Sequence, residues 1–272
     1  MCFQIKSDSC ITESESNHLN DLRKLIECDQ LLNRYKLNDD FLIAFLRCKL
    51  YDVDKAYQRL KLYIETIRNR QELFTWKCDA EKVTCRNMFG ISKGQSADGS
   101  VLMLMKPSLW DPSDLSVEEI AQFIITYQAG FVRSQLNGIH AIVDASGVTW
   151  SQLFAVGPIK GKFIGELSSS VMPVRIRKVH MVHVNRLVRI GLKMVMPFMK
   201  KKIRERFVLH GDDLSDVFKC CPPSAVPVEY GGQATEQYSI EDHLKMIENG
   251  RCILEDVWQQ VRDDCESVIK TR

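Results

Sequence analysis

Apolar and polar positions divide the chain into two regimes. The first glycine is Gly90 and the first proline is Pro107. A stretch so free of breakers predicts helices throughout. Leu19, Leu22, Leu25, Ile26, Cys28, Asp29 and Leu32 recur at a spacing that predicts a first helix. Asp39 and Asp40 are placed to cap a second, carrying Phe41, Leu42, Phe45 and Leu46, and Asp52 a third, running through Ala56, Leu60, Tyr63 and Ile67. Beyond Gly90, short apolar runs alternate with longer amphipathic stretches. Strands are predicted over 101–105, 139–143, 179–184 and 207–209, and helices near 117–133, 158–168 and 185–200. Such alternation predicts a largely parallel sheet with crossover helices, an α/β fold. After Ser239 the period is helical again, through Ile240, Leu244, Ile247, Ile253, Val257 and Val261. The expected organisation is a helical unit over 1–89, an α/β unit over 90–236 and a helical tail over 237–272 that packs back on the body.

Composition changes this picture little. With 272 residues, 45% hydrophobic and 26% charged, the chain can bury a core without disulfide staples. Its ten cysteines form no C-x-x-C pair, only Cys220 and Cys221 being adjacent, and the first seventeen residues lack the apolar core of a signal peptide. The thiols are therefore expected to be reduced, in a cytoplasmic protein. The apolar stretch over 187–199 is broken by Arg189, Lys193 and Pro197, so no membrane span is expected.

Charge is more informative. The net value of +2 argues against a general nucleic-acid binder. Yet residues 173–206 hold eleven Lys and Arg against Glu205 alone, a net of +10, while the rest of the chain carries −8. This asymmetry makes a local field that attracts an anionic partner.

Enzyme signatures are missing. There is no G-x-S-x-G elbow, no phosphate-cradling G-x-x-x-x-G-K-[ST] and no G-x-G-x-x-G after a strand. His180 and His183, three apart, would face opposite sides of a strand, so zinc is not expected, and Asp144 reads as a turn residue. No catalytic residue, metal or cofactor is expected.

Four separated runs, in order, resemble one family. Residues 38–56 (NDDFLIAFLRCKLYDVDKA) are similar to the N-terminal helical motif of CRAL-TRIO proteins, and 137–147 (NGIHAIVDASG) to their strand and turn. Residues 197–211 (PFMKKKIRERFVLHG) resemble the segment after their gate, and 226–232 (VPVEYGG) their Glu-Tyr-Gly-Gly loop. The resemblance implies a helical N-terminal bundle, an α/β lipid-binding domain and a cavity closed by a movable helix, with no catalytic site. It assigns ligand contact to Ile139, Val143, Val156, Ile164, Leu167 and Met172, and further to Leu109, Ile120, Phe123 and Tyr127. Phosphoinositide contact falls on Arg175, Arg177, Lys202 and Arg206. Fork-shaped guanidinium and point-like ammonium groups both suit multiply charged phosphates.

The gate segment reads consistently with this. Arg186, Arg189 and Lys193 form a narrow basic stripe; Leu187, Ile190, Met194 and Phe198 are expected opposite it, with Val188, Leu192, Val195 and Met199 broadening the apolar arc. The sequence before it, His183-Val184-Asn185, departs from the Asn-Glu-Pro of a tocopherol-binding member, which leaves the cargo open. The resulting expectation is a monomeric, non-enzymatic carrier of a tocopherol-like, retinoid-like or related apolar molecule, docking reversibly on phosphoinositide-bearing, for example endosomal, membranes. The competing reading is a phosphoinositide-sensing adaptor.

Overall fold

A computed structural model describes residues 11–74, 79–96, 98–131, 137–211 and 213–270. Three helices open it: α1 (Glu13–Glu27), α2 (Asp39–Cys48) and α3 (Val53–Asn69). The first ends before Cys28, Asp29 and Leu32, which the sequence reading included in it. Asp29 Oδ1 accepts from the backbone N–H of both Leu31 and Leu32, at 2.8 and 2.9 Å, folding that end into a separate 3-10 turn. The second is capped by Asn38 rather than by the aspartates after it: its side chain accepts from Phe41 N–H at 2.8 Å, leaving Asp39 and Asp40 to the first turn. Asp52 caps α3 as expected.

One buried ion pair locks α1 to α2. Glu15 Oε1 accepts from Arg47 Nε at 2.9 Å and from the Tyr51 hydroxyl at 2.7 Å, and Glu15 Oε2 from Thr12 N–H at 3.1 Å. Burial alone would raise the Glu15 carboxyl, but these hydrogen bonds outweigh it and hold it at about 2. Because the folded value lies below the unfolded one, the stabilisation is complete above about 4.5 and is lost as pH falls toward 2. Glu15→Ala is expected to cost about 3 kcal/mol at neutral pH, with a deficit that shrinks below pH ~4. Urea unfolding across that range checks it; an equal deficit at every pH would separate the loss from the ionised carboxylate.

The sheet follows a short helix α4 (Ala80–Cys85). Its strands are β1 (Phe89–Gln95), β2 (Val101–Met105), β3 (Ile139–Asp144), β4 (Ile176–Val182) and β5 (Phe207–Leu209), in the order β1-β2-β3-β4-β5. β1, not foreseen from the sequence, pairs antiparallel with β2; every other pair is parallel. Between the parallel strands lie α5 (Val117–Phe131), α6 (Trp150–Glu166) and α7 (Arg186–Val195), followed by the short α8 (Lys201–Arg204). The final two positions of the predicted 117–133 helix lie outside the described residues. When each parallel strand adds on the same side of the last, right-handed crossovers place every connecting helix on one sheet face. That face is where the cavity lies.

The opposite face is covered by α9 (Ser215–Phe218) and the following loop, through Val217, Cys221, Val226 and Tyr230 against Leu102, Leu104, Ile142 and Val182. The last helix, α10 (Ile240–Lys270), crosses α5 backbone to backbone. A Cβ on Gly130 would sit 1.8 Å from the Met246 carbonyl oxygen, and one on Gly250 1.9 Å from that of Thr126. Further along, Trp258 Nε1 donates to the Tyr63 hydroxyl at 3.0 Å, inside an edge-to-face aromatic chain that includes Phe74. Among the described residues, no helix is long and apolar enough to cross a membrane.

Candidate functional site: an apolar cavity under an amphipathic helix

Period-two alternation turns Met105, Val143 and Met181 to the same sheet face, and the register sets them side by side across β2, β3 and β4. They form the floor of a cavity of about 330 Å³, within the size range of small-molecule sites. Val117, Ile120, Ala121 and Ile124 of α5 line one wall, Leu153, Val156 and Ile164 of α6 another, and Leu167 extends it. Leu187, Val188, Gly191, Leu192 and Val195 of α7 make the roof.

The polar groups at this wall are spent. Gln152 Nε2 donates to the backbone carbonyls of Pro107, Ser108 and Trp110 at 3.1, 3.1 and 2.6 Å, and its Oε1 accepts from Thr149 N–H at 2.8 Å. Trp110 Nε1 donates to the Leu115 carbonyl at 2.6 Å. Among the described lining residues the other side chains are apolar, so the cavity rewards apolar surface and penalises polar surface.

Ile120, Val143, Val156, Ile164 and Leu167, all assigned to ligand contact from the sequence, line this cavity. The other five lie elsewhere. α5 buries two stripes: Phe123 and Tyr127 belong to the second, Phe123 stacking on Phe89 at 5.0 Å and Tyr127 bonding His243 Nδ1 at 2.5 Å. Leu109 is 42% exposed, because the 3-10 turn Pro107–Leu109 aims Pro107 and Trp110 inward instead. Ile139 and Met172 are buried in the main core, and the Met172 carbonyl is held by Arg59 Nη1 at 2.7 Å. Leu153 escaped the sequence reading because Gly157 and Pro158 look like a helix start. α6 in fact begins at Trp150 and kinks at Gly157, whose φ of 53° suits glycine.

The roof helix is rotated from its expected setting. At 3.6 residues per turn, Ile190 sits only about 70° from the centre of the basic stripe, whereas Gly191 and Val195 stand opposite it. Accordingly Arg186, Arg189, Ile190 and Lys193 are exposed, Leu187 faces the cavity, Met194 is half-buried without lining it, and Phe198 is 40% exposed. Glycines set the seam between roof and wall. A Cβ on Gly161 would meet Val195 Cγ2 at 2.9 Å, and one on Gly191 would meet Leu153 Cδ1 at 2.8 Å.

In the bend before α7, His183 adopts φ 53° and its Nδ1 lies 2.8 Å from Asp144 Oδ1. Asp144 also accepts from the Ser146 backbone at 2.9 Å and the Tyr230 hydroxyl at 3.1 Å, so this carboxylate is used structurally. Burial opposes its ionisation, but the bonds from His183 and Ser146 prevail and hold it below the ordinary range.

Three of the four basic residues assigned to phosphoinositide contact gather at one end of the sheet. Burial, then Arg175 and Arg177, lowers the Arg206 guanidinium, and burial followed by Arg177 lowers Arg175. Arg177 is paired with Asp98 at 2.7 Å. The fourth, Lys202, is exposed and belongs to a second group: Lys49 is lowered by burial and then by Arg59, Lys200 and Lys202. Lys49 and Arg59, from the helical unit, lie too far away in sequence for any run of charge to reveal.

A helical bundle joined to a mostly parallel sheet, with an apolar cavity roofed by an amphipathic helix, defines the class of α/β protein to which the chain belongs. The chain belongs to the CRAL/TRIO domain family, whose model matches residues 86–232. It is 33% identical to "Alpha-tocopherol transfer protein-like" of Homo sapiens over 205 residues, 74% of this chain and 60% of that protein. It is 24% identical to "Clavesin-1" of Rattus norvegicus over 204 residues, 72% of this chain and 58% of that protein. The chain thus spans about 60% of the length of the curated relatives it matches. The crystal structure of Sfh5 shares the fold, with a TM-score of 0.52 and 15% identity, covering 91% of this chain and 98% of that one.

Proposed function

We propose that the chain holds one apolar small molecule or lipid in the cavity beneath α7 and exchanges it at an anionic membrane surface. The observation that carries this reading is the apolar lining, at which the Gln152 and Trp110 polar groups are already bonded. The name of the tocopherol-transfer-like relative agrees with such a role. Organic extraction of the purified protein followed by mass spectrometry tests it: about one apolar molecule per chain is expected. A protein that comes out empty, takes up no apolar probe and still binds phosphoinositide vesicles would favour the adaptor reading.

Docking is proposed to use both charge and apolar surface around α6 and α7. On α6, Trp150 is 53% exposed, Phe154 73% and Ile159 84%, and on α7 Ile190 is exposed with the stripe of Arg186, Arg189 and Lys193. Exposed aromatic and aliphatic groups next to cations suit the headgroup boundary. Phosphoinositide contact is assigned to Arg175, Arg177, Lys202 and Arg206, with Lys49 and Arg59 adding to their field. At about 1 kcal/mol per basic residue near an anionic surface, replacing those four by Ala is expected to weaken vesicle binding at least ~tenfold. Cargo affinity in solution should stay within about twofold, and parent binding should fall as salt is added. Sedimentation with anionic vesicles measures it; binding insensitive to both salt and the four changes would remove the headgroup role.

A further inference from the structure

The sheet face opposite the cavity carries a cluster that cargo binding does not use, beside the Arg177 and Arg206 side chains assigned to docking. His140 of β3 and His180 of β4 point to that face, since Ile142 pairs with His180 and His140 with Lys178. His210 follows β5, fixed by its N–H bond to the Met181 carbonyl at 2.8 Å. The three rings stack in a row, His140 to His180 at 6.2 Å and His180 to His210 at 5.1 Å. Cys220, half-buried in the turn after α9, completes the group.

Two ring nitrogens in this row have no partner. His180 is fully buried at 0% exposure and His140 is at 4%, yet His180 Nε2 and His140 Nδ1 make no hydrogen bond. Of their other nitrogens, His180 Nδ1 lies 2.9 Å from His210 Nε2, while His140 Nε2 has Asp98 Oδ2 at 3.8 Å, near enough for charge attraction but too long for a hydrogen bond. A buried imidazole nitrogen without a partner costs free energy unless something binds it. An imidazole whose far nitrogen is held by a carboxylate or a second acceptor is the arrangement by which proteins orient metal ligands.

We propose that one ring nitrogen each of His140 and His180, with the Cys220 thiolate, binds a zinc ion. Ligand atoms of these three residues lie within 4.8 Å of one another. Bonds of about 2.0–2.3 Å in a tetrahedron require separations near 3.3–3.6 Å, so binding must draw these atoms together by up to about 1.5 Å. Two imidazoles and a thiolate match zinc and reject magnesium or calcium, which need oxygen ligands. The fourth position opens on a pocket of about 380 Å³ lined by Asp98, Arg177, Lys178, Arg206 and Lys219, where water or an anion can complete the shell. Asp98 pairs with Arg177 at 2.7 Å and Asp216 with Lys219 at 2.5 Å, offsetting two of the nearby cations. The site would tie β3 and β4 to the loop covering the far side of the sheet.

Zinc titration of the full chain, in a background with exposed Cys28 and Cys252 changed to Ser, tests the proposal beside Cys220→Ser and His140→Gln. Circular dichroism checks the fold of each variant. The folded parent should bind one zinc ion with at least tenfold higher affinity than either variant. Cobalt added in its place should give a thiolate-to-metal charge-transfer band that Cys220→Ser abolishes. If His140→Gln fails to fold, Cys220→Ser, at a half-buried turn, decides alone. A parent that binds no zinc, a loss below tenfold in a folded variant, or a cobalt–thiolate band that survives Cys220→Ser would overturn the assignment.

Discussion

Val143→Asp is expected to abolish cargo binding, lowering affinity at least ~100-fold, while the chain stays folded. Val143 sits mid-floor between Met105 and Met181 in register, half-buried at the cavity surface rather than inside the core. In the empty protein a carboxylate there can keep some hydration. An apolar guest would strip that hydration, and the cavity wall offers no free donor to replace it. Desolvating an unpaired charge costs several kcal/mol, more than one apolar guest can offset at this wall. Val156→Trp attacks the same space by volume instead, filling part of about 330 Å³ without adding charge. Titration with the extracted cargo, and unfolding curves to check integrity, decide the matter. Parent-like affinity in both folded variants would place the cargo somewhere else.

Why those residues were legible from the sequence, and others were not, follows from what each depends on. Val143, Ile164 and Leu167 were assigned through the family resemblance, and they lie on a strand and a helix that local apolar spacing predicts. Such local information survives without coordinates. α5 shows the limit. Both of its stripes are apolar, and only the placement of α10, fixed by the Gly130 and Gly250 crossing, decides that Phe123 and Tyr127 face away from the cavity. Ile190 was misjudged for a different reason: a broad apolar arc was allowed to run too close to the basic stripe. The stacking of His140 near His180 needed strand order and register, which no spacing between positions 140 and 180 encodes. Lys49 and Arg59 likewise join the basic field only once the helical unit docks beside Lys200 and Lys202.

The largest effect on transfer is expected from pinning α7. The roof covers the cavity through Leu187, Val188, Gly191, Leu192 and Val195, so under the proposed function a large apolar guest can leave only if the roof moves. Membrane docking can favour that movement if the open state binds anionic lipid better than the closed one, which is all that a population shift requires. Arg186, Arg189, Ile190 and Lys193 already face outward and need not reorient to meet headgroups. The seam between α6 and α7 offers a place to block this motion. A Cβ on Gly161 would lie 3.9 Å from Val195 Cβ, within the ~3.5–4.5 Å span of a disulfide. The double change Gly161→Cys and Val195→Cys also removes the Val195 Cγ2 atom that would otherwise collide at 2.9 Å. Oxidised, this variant should retain its bound cargo and lose at least ~90% of its transfer rate to acceptor vesicles; reduction should restore it. Val195→Cys alone under the same oxidant should transfer at about the parent rate, which separates the cross-link from damage to other thiols. Backbone hydrogen exchange over 186–195 should rise in the reduced protein when anionic vesicles are added, and stay low once the bond forms. Undiminished transfer by the cross-linked protein would mean that cargo leaves past α5 or the sheet edge and that α7 is a fixed wall.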